Sequence, residues 1–391
     1  MSRPLAGPQS LLRTLNGRAI LEALARSGPQ TRTELMSATG LSRTAVTQVL
    51  RMLDSAGAVA PAGVDRDTRG PAAGRVGLHP RLGFAAAVHV DHHAAHVVLV
   101  DATGTVRAEQ HAAFPGAGGT GANGGTAGTG DRVEHIAALI DSCLRALRGP
   151  LRVAVIGVPG IVTAEGGIRD DLGPDGGAFR TALSDALGCA VRVENDVNLA
   201  ALAELTAGAG GDLASFALLH LDDGLGAGIV LDGTLHRGFS GVAGEVAYLP
   251  QTPLPIGAPI VNDAVVGDLA LGLGLDVDAP LIDHLTAAAG GDAAAQELVA
   301  EVGRRIVLIA GSVGLVLDPE AFILGGDAVH PLLVEAIERV AAEYAAQLPL
   351  RFLVSSFGPE APLVGAVGEA ASGLRAVLFT SILSPLTKPT R

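Results

Sequence analysis

The stretch VHVDHHAAHVV, residues 88–98, sets four histidines and an aspartate into an alternating apolar run. Read as one strand, it places His89, Asp91 and His93 on one face and Val88, Val90 and His92 on the other. Two imidazoles and a carboxylate on a common face are ligands a transition metal accepts, and imidazoles titrate near neutral pH. Ligands drawn from one short strand rarely complete a metal's shell, so a third reading stands beside metal site and pH switch: polar residues left where another chemistry once operated. A second chemical group lies in LSRTAVTQVLRMLDSAG. There Ser42 caps a helix whose Ala45, Val46, Val49, Leu50 and Leu53 form a buried stripe, leaving Arg43, Thr44, Thr47, Gln48 and Arg51 outward. Arg and Gln make directed hydrogen bonds to base edges, and Thr contacts a phosphate or a thymine methyl. A third is ENDVNLAALAE, where Asn195 and Asp196 read first as a helix cap.

The elements around these groups decide between the readings. NGRAILEALARSG predicts a helix with Leu15, Ile20, Leu21 and Leu24 on one face and Gly28 at its end. Thr31 and Glu34 have capping-box spacing, and Gly40 supplies the turn into the helix that Ser42 caps. VAPAGVDRDTRGPAAGRVGLHP then gives two short strands around a Gly/Pro/Arg loop, the wing of a winged helix-turn-helix, from which Arg69 and Arg75 reach phosphates or a minor groove. A packed helical domain with a solvated arginine face is the plainer alternative. Against it, residues 1–82 hold 11 Arg and 5 acidic residues, while the remainder holds 16 basic and 35 acidic residues within a total net charge of −13. The basic end is the one suited to double-stranded DNA.

From Phe84 onward strands and helices alternate: FAAAVHV, HVVLVDATG, VRAEQHAAF, a helix over 131–147, RVAVIGVPG, then FALLHL, GAGIVLDGTL, a helix over 293–316, AFILGG and a helix over 329–346. The domains read as 1–80, winged helix-turn-helix and mostly α; 81–200, a first α/β lobe with a Gly/Thr-rich surface loop at 115–130; 201–375, a second α/β lobe; and 376–391, a tail. With 48% hydrophobic residues the chain has material for more than one core. Cys143 and Cys189 form no CxxC pair, which leaves neither a disulfide framework nor a cysteine zinc site. The first residues lack the apolar core of a signal peptide, and no run of 18 apolar residues suggests a membrane span, so a cytoplasmic protein with no membrane partner is expected.

A winged helix followed by VPG, ENDVNLAALAE, GLGAGIVLDGTLHRGFSGVAGE, LDPEAFILGG and PLVGAVGEAA resembles, over nearly the whole chain, the ROK family of sugar-responsive repressors and sugar kinases. The resemblance implies a two-lobed α/β domain of the sugar-kinase, actin-like (ribonuclease H-like) type behind the DNA-binding domain. It places Asn195 and Asp196 at the family's sugar-binding Asn and Asp, the Asp being the general base in members that phosphorylate, and Glu245 at a sugar-binding Glu. AGEVAY puts Ala247 and Tyr248 where the family has Gly and a zinc-binding His, and the cysteine-rich loop is missing, so the family's zinc site is expected to be absent. Asp263 stands where relatives have a further sugar-contacting Glu. The opening stretch aligns with the family's phosphate strand DxGxT, with His89 at the Asp, Asp91 at the first Gly and His93 at the Thr. That replacement removes the magnesium carboxylate and sets a negative charge against phosphate, while DGLGAG at 223–228 looks like an intact second phosphate loop.

Together these readings imply a transcriptional regulator, a repressor, that is no enzyme and uses neither ATP nor another cofactor. A sugar or sugar derivative bound near Asn195, Asp196, Glu245, Tyr248 and Asp263, between the lobes, would alter their closure and so the affinity of a homodimer or homotetramer for a palindromic operator. Two alternatives remain open: an active ATP-dependent sugar kinase with a fused DNA-binding domain, and a regulator that has lost its sugar.

Overall fold

The computed structural model describes residues 8–65, 73–115, 129–170, 173–174, 177–250 and 258–387. Helix α1 (Pro8–Ser27) buries Ile20, Leu21 and Leu24 and ends where Gly28 takes φ 70°. Leu15, expected on that face, is 53% exposed. Strand β1 (Gln30–Thr31) leads into α2 (Arg32–Thr39) through the capping box: the Glu34 N–H donates to the Thr31 hydroxyl, and the Thr31 N–H donates to the Glu34 carboxylate at 2.7 Å. Gly40, left-handed at φ 69°, closes α2. The Ser42 hydroxyl then accepts the Ala45 N–H to open α3 (Arg43–Ser55), whose Val46, Val49, Leu50 and Leu53 are buried. Strands β2 (Val59–Asp65) and β3 (Ala73–Leu78) pair antiparallel as the wing, and β1 adds to the far side of β3.

The α/β part begins with an antiparallel meander, β4 (Phe84–Val90), β5 (Ala94–Val100) and β6 (Val106–Ala113), followed by α4 (Thr129–Leu144) and β7 (Leu151–Val158). Strands β8 (Ile161–Val162), β9 (Ile168–Asp170) and β10 (Gly173–Pro174) form a small antiparallel sheet. Helix α5 (Ala178–Leu187) and β11 (Ala190–Asn195) complete a five-stranded sheet of order β11-β7-β4-β5-β6. The second sheet has order β14-β13-β12-β15-β16. It is preceded by α6 (Asp196–Ala207) and uses β12 (Phe216–Leu221), β13 (Leu225–Leu231), β14 (Thr234–Leu235), β15 (Ala321–Gly326) and β16 (Phe352–Val354). Its helices are α7 (Asp263–Leu273), α8 (Leu281–Ala289), α9 (Ala293–Leu317) and α10 (Pro331–Tyr344), and α11 (Ala361–Thr387) ends the described chain.

Strand β12 shows why this sheet is apolar throughout. Ala217, Leu219 and Leu221 share a buried cluster with Leu298 and Ile306 of α9, while Phe216 and Leu218 share another with Ala200 and Ala201 of α6. With both faces covered, a central strand loses its polar alternation. Burying each such leucine or isoleucine stabilises the fold by roughly 1.5–3 kcal/mol.

Two compact units result: residues 1–156, 179–192 and 367–391, and residues 157–178 and 193–366. This differs from the division read in the sequence, where 376–391 is a tail and 201–375 one lobe. Residues 376–387 continue α11, and the helix carries the chain back into the first unit. The span 358–384 is long and apolar enough by length and composition to cross a membrane, with mean hydropathy 1.3, which the sequence reading did not find. Its Ala370, Ala371, Leu374 and Leu378 are buried inside the first unit, the packing expected of a core helix. Cys143 and Cys189 are free thiols. The Gly/Thr-rich loop falls mostly outside the described residues.

Candidate functional site

Two groups of residues stand out, one in each unit. In the first, α3 presents Arg43, Thr44, Gln48 and Arg51 to solvent, and Ser42 precedes them as the cap. The Thr47 hydroxyl donates back to the Arg43 carbonyl at 2.8 Å, so Arg43, Gln48 and Arg51 are the long donors of this face. Arg75 departs from its expected role. Its guanidinium donates to the Pro29 carbonyl at 2.9 Å and to the Glu34 carboxylate at 3.2 Å, tying the wing to α2. Its in-register pairing with Thr31, 44 positions earlier, explains why local sequence reading missed this. Arg69 lies outside the described residues.

The histidine stretch also departs from expectation. Strand β4 stops at Val90, and the Asp91 carboxylate accepts the N–H groups of His93 and Ala94, each at 2.6 Å. Asp91 to His93 are therefore a hairpin turn closed by an aspartate side chain, and the three residues do not share a strand face. His89 stays in β4, in register with His96 on β5, and the His96 Nε2 lies 2.6 Å from the Glu109 carboxylate.

In the second unit, β11 delivers Asn195 and Asp196 to the start of α6. Asn195 is the helix cap: its Oδ1 accepts the Asn198 N–H at 2.9 Å and its Nδ2 donates to the Gly160 carbonyl at 3.0 Å. Asp196 accepts the Val197 N–H at 2.7 Å. Burial raises its pKa from 3.8 to about 7, and the nearby carboxylates of Asp222 and Glu245 push the same way. Glu245 is raised by burial too, opposed by the charge of Arg169. Just before them, the buried Glu194 accepts Arg237 at 2.7 Å and the Asn198 side-chain amide at 3.1 Å. That pair fixes the loop after β14, where Gly241 and Gly244 take φ 84° and 107°. A Cβ at either would lie within 2.2 Å of a backbone carbonyl, Val162 or Ala227, so glycine is required for the close approach.

Asn195 and Glu245 thus line one small cavity of about 20 Å³, room for about one water. Tyr248, 47% exposed at the end of a short 3-10 helix, does not line it. Neither does the exposed Asp263 at the start of α7, whose N–H donates to the Asp223 carbonyl. Sequence reading missed Arg169, Glu194 and Arg237, and Asp327, whose pKa is raised by burial and then by the charges of Asp222 and Asp223, opposed by His330. Most of these partners lie tens of residues away, and only the adjacency of Glu194 to Asn195 offered a clue.

Two of the three glycines of DGLGAG serve packing, while a Cβ on Gly224 would make only an ordinary contact with the Asn262 Cβ at 3.8 Å. A Cβ on Gly228 would lie 2.4 Å from the Ala201 Cβ, and one on Gly226 would lie 2.8 Å from the Val197 side chain, so both let β13 approach α6.

Residues 13–59 match a winged helix-turn-helix DNA-binding family, and residues 86–257 match the ROK family. The chain is 27% identical over 360 residues to the DNA-binding transcriptional dual regulator NagC of Escherichia coli K12, covering 85% of this chain and 86% of that one. Its structure is similar to that of a ROK family transcriptional regulator described as a homolog of the E. coli MLC protein, with TM-score 0.68, 21% identity and coverage of 96% and 98%. It is also similar to a ROK family glucokinase from Streptomyces griseus in complex with glucose and AMPPNP, with TM-score 0.59, 22% identity and coverage of 74% and 100%. A reading head on an α/β domain of sugar-kinase fold defines a DNA-binding transcriptional regulator. The chain carries a ROK family domain and is homologous to the ROK transcriptional regulators.

Proposed function

We propose that this regulator is a repressor that senses a sugar or sugar derivative without phosphorylating it. In this reading Asp196 and Glu245 accept sugar hydroxyls, Asn195 positions them, and occupancy lowers affinity for a palindromic operator bound by a symmetric oligomer in the cytoplasm. The observation that carries it is the Asp91 turn. A phosphate-binding turn offers its backbone N–H groups to the anion, whereas here those of His93 and Ala94 are taken by a carboxylate. The residues present fit neither ATP at this turn nor the family's zinc, since Tyr248 replaces the histidine and both cysteines belong to the other unit.

Asp196 favours a second reading, a sugar kinase, because a carboxylate with a pKa near 7 suits a general base. An ADP-release assay over hexoses and N-acetylhexosamines separates the two. The sensor reading expects no sugar-dependent turnover, and turnover abolished by Asp196→Asn establishes the kinase. In parallel, a thermal-shift screen of the same sugars, with Glu245→Ala as control, should give stabilisation that the variant loses. No stabilisation by any sugar indicates a regulator without a sugar ligand. Gel-shift measurement on recovered operator fragments should show Arg43→Ala weakening binding by about 1–3 kcal/mol.

A further inference from the structure

A second cavity lies away from the sugar-binding candidates, within the first unit. It is a cleft of about 750 Å³ between α1 of the DNA-binding domain and α11, reaching Thr103 at the β5–β6 turn. From α11 it takes Ser372, Arg375, Phe379 and Leu383, spaced as one helical stripe. From α1 it takes Arg18, Glu22 and Arg26, again one stripe. The helices touch at Gly17, where a Cβ would lie 2.8 Å from the Leu383 side chain.

The charges of this cleft are unbalanced. Arg18 and Glu22 neutralise each other in an ion pair at 2.7 Å. Arg26 and Arg375 have no carboxylate partner among the described residues, so the lining keeps two positive charges. Arg375 is partly buried, and its hydrogen bond, to the Ala102 carbonyl, is long at 3.4 Å. Burial lowers its pKa, the sign of a cation short of counter-charge. A guanidinium held half out of water without a carboxylate is costly, and its planar fork matches a phosphate's oxygens. The volume falls in the range of small-molecule sites, and the apolar floor of Phe379 and Leu383 suits the body of such a ligand. Recognition helix α3 contributes no residue to the lining, which argues against a groove for the DNA backbone.

We propose that the α1–α11 cleft is a second ligand site of this regulator, for a phosphorylated small molecule whose phosphate bridges Arg26 and Arg375. Bound there, the ligand would join the DNA-binding domain to the last helix by charge as well as by packing. The test is calorimetric titration of the full chain with two probes, pyrophosphate and glucose 6-phosphate, at constant ionic strength. Saturable binding of at least one probe is expected, weakened at least tenfold by Arg375→Gln and by Arg26→Gln and unchanged by Asp196→Asn. Arg26 is exposed, so its variant keeps the fold even if Arg375→Gln does not. No saturable heat with either probe, or binding indifferent to Arg26→Gln, overturns the proposal. So does binding abolished by Asp196→Asn, which would place the probe in the other unit. Operator affinity lost in Arg26→Gln with no probe binding in the parent protein would assign these arginines to DNA.

Discussion

Two hairpin turns invite comparison: the one joining β4 to β5 in the first unit and the one joining β12 to β13 in the second. In sequence the first reads as a ruined phosphate loop and the second, DGLGAG, as an intact one. In structure the first is occupied by its own aspartate, and the glycines after the second are held by helix packing. Gly226 and Gly228 would be required against α6 whether or not a nucleotide ever binds. Retention of Gly226 and Gly228 is therefore weak support for phosphate binding, since each already has a neighbour that forbids a side chain. Loss of the motif where no neighbour enforces it, as at Asp91, is the more informative change.

The sharpest test of that contrast is Gly228→Ala. Its Cβ meets Ala201 and the Val197 carbonyl at 2.4 and 2.8 Å, so a loss of about 3 kcal/mol or more in urea unfolding is expected, with no ligand present. A neutral result would return the glycine to phosphate chemistry. Next in size is the pH response of Asp196. An acid whose pKa rises from 3.8 to about 7 on folding holds its proton more tightly when folded, so stability falls as pH climbs from about 4 to 7 and is level above. A rise from 3.8 to about 7 amounts to roughly 4 kcal/mol when fully expressed. The partial exposure of Asp196 screens that to on the order of 2 kcal/mol, which Asp196→Asn should gain relative to the parent at pH 8 over pH 4 by removing the slope. Parallel pH profiles for the two proteins would show the carboxyl to be ordinary. The smallest effect belongs to Asp91→Ala, which frees the exposed His93 N–H and the part-buried Ala94 N–H and should cost about 1 kcal/mol. A loss as large as that of Gly228→Ala would mean the first turn is as tightly constrained as the second.

Much of this was legible in the sequence where the physics is local. The capping box of Thr31 and Glu34, the Ser42 cap and the left-handed Gly40 each depend on residues within four positions, and all three occur as read. The Asp91 turn is local as well, but alternation of apolar residues outweighed the aspartate's capacity to close a turn. Arg75 paired with Glu34 and Glu194 paired with Arg237 were hidden because sheet register and loop return bring them together. Leu15 was misplaced because helical periodicity gives a face without saying how far along the helix a neighbour extends.

The close approach of Gly17 to Leu383 joins α1 to a helix far along the chain. The ribosome makes the reading head long before the packing partner that α11 supplies to it at Leu383. A nascent or prematurely terminated chain therefore carries its recognition helix without that brace. A chain cut short before α11 is therefore expected to hold α1 less firmly, which limited proteolysis of such a fragment beside the parent protein would show.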